Sequence, residues 1–173
     1  MTANAADLLV GASTDFLRRF APFKDMEADA LAFLAQHAVL AFHARGDNIL
    51  TPEMGAPRHF YIVQRGKIQA RQTGSTTTTE YTSLNLGQGE CFPIGAISAQ
   101  RPSTNAYVAI EDSFCLQIST EEFMRLMQMS PVFHLFCTQY IAGLLNQSRR
   151  QLQTNFSQRA AEQHTMTTQL GQL

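Results

Sequence analysis

Residues 89–109 read GECFPIGAISAQRPSTNAYVA, and the layout of this stretch governs how the rest of the chain is understood. It lies between two strand-like runs and reads as a short helical turn followed by a loop. Gly89 and Gly95 permit backbone conformations closed to other residues. Ile94-Gly95-Ala96-Ile97 starts a helical turn whose leading N–H groups lack acceptors within the turn, a common way of receiving a phosphate. Arg101 is the one cation in the window. The stretch has the outline of a small-anion pocket without the charged side chains that would grip an anion.

On either side, from Val39 to Ile118, short strands alternate with turns. The candidates are Val39–His43, Asn48–Thr51, His59–Arg65, Lys67–Thr73, Glu80–Asn85, Ala106–Glu111 and Ser113–Gln117. Arg45-Gly46-Asp47, Arg65-Gly66-Lys67, Gly74-Ser75 and Glu111-Asp112 supply the turns. His59–Arg65 and Lys67–Thr73, joined at Gly66, read as a hairpin, and the four threonines Thr76 to Thr79 as an exposed hairpin tip. Many short strands with no crossover-length helix between them predict an antiparallel barrel or jelly roll, mainly β with flanking helices.

Helices are expected at both ends. Phe16, Leu17, Phe20, Leu31, Phe33 and Leu34 recur near helical spacing between Thr14 and Gln36, broken at Ala21-Pro22, with Lys24 or Asp25 starting the second helix. After Ile118, Ser119-Thr120-Glu121-Glu122 has the form of a capping box opening a helix to about Met129. Ser130-Pro131 then opens a second helix, in which Val132, Phe133, Phe136, Tyr140, Ile141, Leu144 and Leu145 trace one broad apolar face. Residues 1–13 read as a tail, 14–145 as one domain, and 146–173 as a polar C-terminal helix and linker.

Composition narrows the function classes. With 173 residues, 45% hydrophobic, the chain can bury one core. A formal net charge of -1 argues against a nucleic-acid surface, which needs a basic stripe. Cys91, Cys115 and Cys137 are odd in number and form no CxxC pair, so they read as reduced, packed thiols suited to the cytoplasm. No apolar run has the length to cross a membrane, and the N-terminus lacks the basic region of a signal peptide. His37, His43, His59, His134 and His164 are scattered, without the HxH-plus-Glu arrangement of a metal-binding barrel. No catalytic triad or dyad can be placed, so no catalysis and no resident cofactor is expected.

The element order resembles the cyclic-nucleotide-binding domain family, from about Phe16 to Leu145. Arg45-Gly46-Asp47 before Ile49-Leu50 is similar to that family's basic-Gly-acidic turn. Phe60-Tyr61-Ile62-Val63-Gln64-Arg65-Gly66-Lys67-Ile68 is similar to its aromatic-Tyr-Ile hairpin, and Gly87-Gln88-Gly89-Glu90-Cys91-Phe92 to the start of its phosphate-binding cassette. The resemblance implies a jelly roll whose cassette, here Ile94, Gly95, Ala96, Ile97, Arg101, Pro102, Ser103, Thr104 and Asn105, faces a cyclic nucleotide or other small anion.

Two departures bear on that implication. The family's cassette gives a glutamate to the ribose and an arginine to the cyclic phosphate; the matching positions here are Ala96 and Ser103. An arginine fork makes paired, charge-assisted hydrogen bonds to phosphate. Its loss costs several kcal/mol, on the order of a hundredfold in affinity. Arg101 either replaces the cation from the other side of the loop or is a solvated loop arginine.

Gly89 to Gly95 and Glu111-Asp112-Ser113-Phe114-Cys115-Leu116 also resemble a bacterial multidomain group. In that group such a domain precedes paired CBS domains and a nucleotidyltransferase-like domain, and Gln163-His164-Thr165-Met166 is similar to its connector. The resemblance implies an N-terminal sensory piece of a longer protein, with those domains as partners. The Pro131 helix beyond Tyr140 offers a homodimer seam, as the matching helix does in the family's transcription factors. The polar residues after Leu152 are too few for a following helix-turn-helix. Two readings remain at this point: a regulatory domain with a degenerate cassette and weak or absent cAMP and cGMP binding, or a structural dimerisation module without a ligand.

Overall fold

The computed structural model describes residues 4–72 and 83–170. Thr76 to Thr79, expected at a hairpin tip, lie outside the described residues. By compactness the chain divides into two units, Met1–Cys137 and Thr138–Leu173.

The first unit opens with helix α1 (Ala5–Leu17), a 3-10 turn at Phe23–Asp25 and helix α2 (Ala28–His37). α1 is thus already helical inside the expected tail. The second helix does not start at Lys24 or Asp25. There the chain makes one tight turn, with Asp25 N–H donating to Pro22 O and Met26 N–H to Phe23 O. Met26 is then extended (φ -72°, ψ 154°), which interrupts the helical run before Glu27 caps α2.

Among the described residues eight strands follow: β1 (Val39–His43), β2 (Asn48–Leu50), β3 (His59–Arg65), β4 (Ile68–Gln72), β5 (Ser83–Leu86), β6 (Cys91–Phe92), β7 (Asn105–Ala109) and β8 (Ser113–Ser119). They form two antiparallel four-stranded sheets, ordered β1-β8-β3-β6 and β2-β7-β4-β5. Helix α3 (Ile94–Ala99) sits between β6 and β7. This is the jelly roll with helices at both ends that the strand spacing predicts.

The hairpin across Gly66 is not formed. β3 pairs with β6 and β8, whereas β4 pairs with β5 and β7, so the chain changes sheets at this turn. Gly66 has φ +92°, and a Cβ there would lie 2.3 Å from Ser113 Oγ and 2.7 Å from Asp112 O. The corner is pinned to β8 because Lys67 N–H donates to Ser113 Oγ at 3.1 Å. Turn composition identifies a reversal but says nothing about which strands become neighbours.

Between the sheets lies a core built from Leu50, Tyr61, Val63, Ile68, Leu86, Phe92 and Tyr107, among others. A second cluster joins the helices to β3. Phe60, Phe123 and Phe133 meet with ring centroids 5.0–5.7 Å apart, and Phe23 packs on Phe133. Helix α4 (Thr120–Met129) starts at the expected capping box: Glu122 N–H donates to Ser119 Oγ, and Ser119 N–H to the Glu122 carboxylate. Ser130 is buried, and its Oγ accepts from Phe133 N–H while donating to the Glu27 carboxylate. That second bond favours the ionised acid and holds the Glu27 pKa down.

Helix α5 spans Pro131–Leu170, and its residues from Thr138 make up the described part of the second unit. Leu144, Leu145, Leu152 and Phe156 are exposed there, the last at 72%. Thr154, Ser157 and Thr165 turn their hydroxyls back onto carbonyls one turn earlier.

Candidate functional site

The cassette begins where β6 lies against β3, with Phe92 opposite Tyr61 and Cys91 opposite Ile62. The preceding turn is tied to β3 by two backbone bonds, Gly89 N–H to Val63 O and Val63 N–H to Glu90 O. Gly89 is required there, with φ +85° and a Cβ position 2.3 Å from the Phe20 ring. Glu90 spends its carboxylate on its own turn, accepting from Gly87 N–H at 2.6 Å.

α3 follows as the expected helical turn, with Ile94 and Ile97 buried and Ile97 N–H donating to Pro93 O. Gly95 belongs to this helix. The left-handed residue is Gln100 at φ 50°, which closes the helix, after which Arg101 N–H donates to Ala96 O. Ala96 is half-buried and brings no polar group. Ser103 is buried, at 5% exposure, and its Oγ accepts from Asn105 N–H at 3.1 Å, closing a local turn. Arg101, Pro102 and Thr104 are exposed, and Asn105 begins β7 opposite Gln72. The nine residues therefore lie along α3, the loop that follows it and the start of β7, and Arg101, their single cation, is exposed.

The barrel interior holds a stack of three rings that the sequence pattern does not disclose. Phe92 lies between Tyr61 and Tyr107, with centroids 4.9 and 4.7 Å away and ring planes within 11° and 20°. The stack bridges the two sheets, and burial raises the Tyr61 phenol pKa. Such offset ring pairs each add about 1 kcal/mol beyond burial itself. In α3, Ser98 Oγ is buried with no partner among the described residues, as is Nε2 of His43 in β1. Burial also lowers the His43 pKa, favouring its neutral ring.

All three thiols are buried. Burial pushes Cys115 and Cys137 up to about 12 and raises Cys91 well above the ordinary thiol value, so none carries a ready thiolate. Among the described residues there is no cluster of three metal-ligating side chains and no helix long and apolar enough to cross a membrane.

The cyclic nucleotide-binding domain profile matches residues 42–130, just over half of the chain. No curated protein matches the sequence. Among solved structures, the regulatory domain of Toxoplasma gondii protein kinase A with cAMP aligns with a TM-score of 0.69 at 19% identity, over 80% of this chain and 52% of that one. The regulatory subunit of a cAMP-independent protein kinase A from Trypanosoma brucei, as a mutant bound to cAMP, aligns with a TM-score of 0.68 at 13% identity, over 82% and 53%. The catabolite activator protein of Thermus thermophilus gives 0.55 at 19%, over 76% and 59%. The chain thus spans between half and two thirds of the length of these structures, and the likeness is one of fold.

Proposed function

The chain belongs to the cyclic nucleotide-binding domain family, and from that premise we propose that it is a non-enzymatic regulatory domain whose cassette has lost strong cAMP and cGMP binding. The observation that carries this reading is the absence of a charged side chain at the two positions where the family's cassette grips its nucleotide. Ala96 and Ser103 stand where a carboxylate and a guanidinium would meet the nucleotide, Ser103 is turned into its own loop, and Arg101 is solvated. A cyclic phosphate placed there would give up its water for neutral partners only, which is unfavourable.

In this reading the domain is an N-terminal, cytoplasmic piece of a longer signalling protein that continues into CBS and nucleotidyltransferase-like domains. It transmits through α5, whose exposed Leu144, Leu145, Leu152 and Phe156 provide a homodimer seam. Neither nucleic acid nor a membrane is a partner. The formed helix α3 favours this over a bare dimerisation scaffold, which does not need it.

Isothermal titration with cAMP, cGMP and other nucleotides tests the proposal. No heat of binding is expected for cAMP or cGMP at about 100 μM. Micromolar binding of either, abolished by Arg101→Ala, would overturn the loss of affinity and identify Arg101 as the replacement cation. Dimerisation is checked by sedimentation, where Leu152→Glu should yield monomers.

A further inference from the structure

A separate cleft of about 490 Å³ is lined by Ala12, Asp15 and Phe16 of α1, Arg19 of the turn that follows it, Gln64 and Arg65 of β3, and Gln88 of the Gly87–Gly89 turn. Ala12, Asp15 and Phe16 follow helical spacing and so share one side of α1, and Arg19 stands in the turn just after it. Its volume falls in the range of small-molecule sites.

The charges in this cleft are unspent. Among the described residues neither Arg19, Arg65 nor Asp15 has an ion-pair partner, the Lys67–Glu111 pair at 3.5 Å lying elsewhere. Arg19 is nonetheless held in place, its guanidinium carbon 5.2 Å from the centroid of the Phe16 ring and 5.6 Å from that of Phe20. The two walls are also fastened to each other. Phe20 packs over Gly89, and Gln88 Nε2 donates to Gln64 O at 3.0 Å. A preformed cleft with two free guanidinium groups, side-chain amides and one free carboxylate has a definite complement.

We infer that this cleft binds a small phosphorylated polyol: Arg19 and Arg65 take the phosphate, and Asp15 accepts from a hydroxyl. Guanidinium forks match phosphate oxygens in pairs, while the carboxylate repels a bare oxyanion and needs a donor on the ligand. The inference does not depend on the state of the cassette. Occupancy would nevertheless reach α3, because the Gln88–Gly89 wall continues directly through β6 into it.

Amide NMR titration of the whole chain with glycerol 3-phosphate, inorganic phosphate and glycerol tests this. Saturable shifts are expected with glycerol 3-phosphate at amides of residues 12–19, 64–65 and 87–89, with a dissociation constant near ~1 mM. Arg19→Gln and Arg65→Gln should each weaken binding about tenfold. Asp15→Asn should weaken glycerol 3-phosphate while strengthening inorganic phosphate, and Arg101→Ala should change neither. Both arginines are exposed, so unchanged shifts at the β-strand amides will report an intact fold. The inference is overturned if no saturable shift occurs, if the shifts survive in the Arg19→Gln/Arg65→Gln double variant, or if they fall on residues 94–105 and vanish with Arg101→Ala.

Discussion

The cassette and the α1–β3 cleft share one glycine turn, which lines the cleft through Gln88 and leads through β6 into the cassette, yet they treat polar groups in opposite ways. In the cassette the hydrogen-bonding groups close on themselves: Ser103 on Asn105, Arg101 N–H on Ala96, and Glu90 on Gly87. In the cleft, two guanidinium groups and a carboxylate have no ion-pair partner among the described residues. A group already satisfied by its own chain offers little to a ligand, whereas a held but unpaired charge offers a great deal. The difference teaches that a fold can keep the outline of one site while its usable charge stands elsewhere.

Four substitutions break or sharpen this contrast. Phe92→Ala removes the middle ring of the stack, and denaturant titration should show a loss of about 3–5 kcal/mol. The emptied space supplies no charge, so cAMP affinity should not appear. Gly66→Ala should cost about 3 kcal/mol, because the new Cβ meets the backbone of Asp112 and Ser113 at a left-handed φ. Gly89→Ala should cost about 2 kcal/mol, since the neighbour it meets is a half-buried Phe20 ring that can swing aside. That swing opens the cleft wall, so the Gly89 variant should also weaken glycerol 3-phosphate binding, whereas the Gly66 variant should not.

Ser130→Ala is the mildest. Losing the α5 N-cap should cost about 1 kcal/mol by thermal denaturation. It also releases Glu27, whose folded pKa is now depressed by the Ser130 bond. A depressed carboxyl stabilises the fold above its unfolded pKa, and that contribution fades as pH falls through the folded value. The gap between wild type and variant should therefore narrow below the ordinary value of 4.5, and NMR should find the Glu27 pKa higher in the variant.

Much of the jelly roll was legible because most of its strands carry a local signature, and the capping box at Ser119 and the Ser130-Pro131 junction were legible for the same reason. What escaped depends on partners distant in sequence. The sheet change at Gly66 is set by Ser113, and β6 is two residues long, with no periodicity to detect. The ring stack joins residues 61, 92 and 107, and the cleft joins residues 12 to 88. The cassette helix was visible in Ile94-Gly95-Ala96-Ile97, but the inward turn of Ser103 was not, since serine composition does not disclose where its hydroxyl points.

Thermal denaturation of the chain with and without 1 mM cAMP tests the proposed loss of cyclic-nucleotide binding most directly. A ligand at about 1,000 times its dissociation constant stabilises the folded state by about 4 kcal/mol, a shift of several degrees in Tm. The expected result is an unchanged Tm. A rise of several degrees that disappears with Arg101→Ala would contradict it.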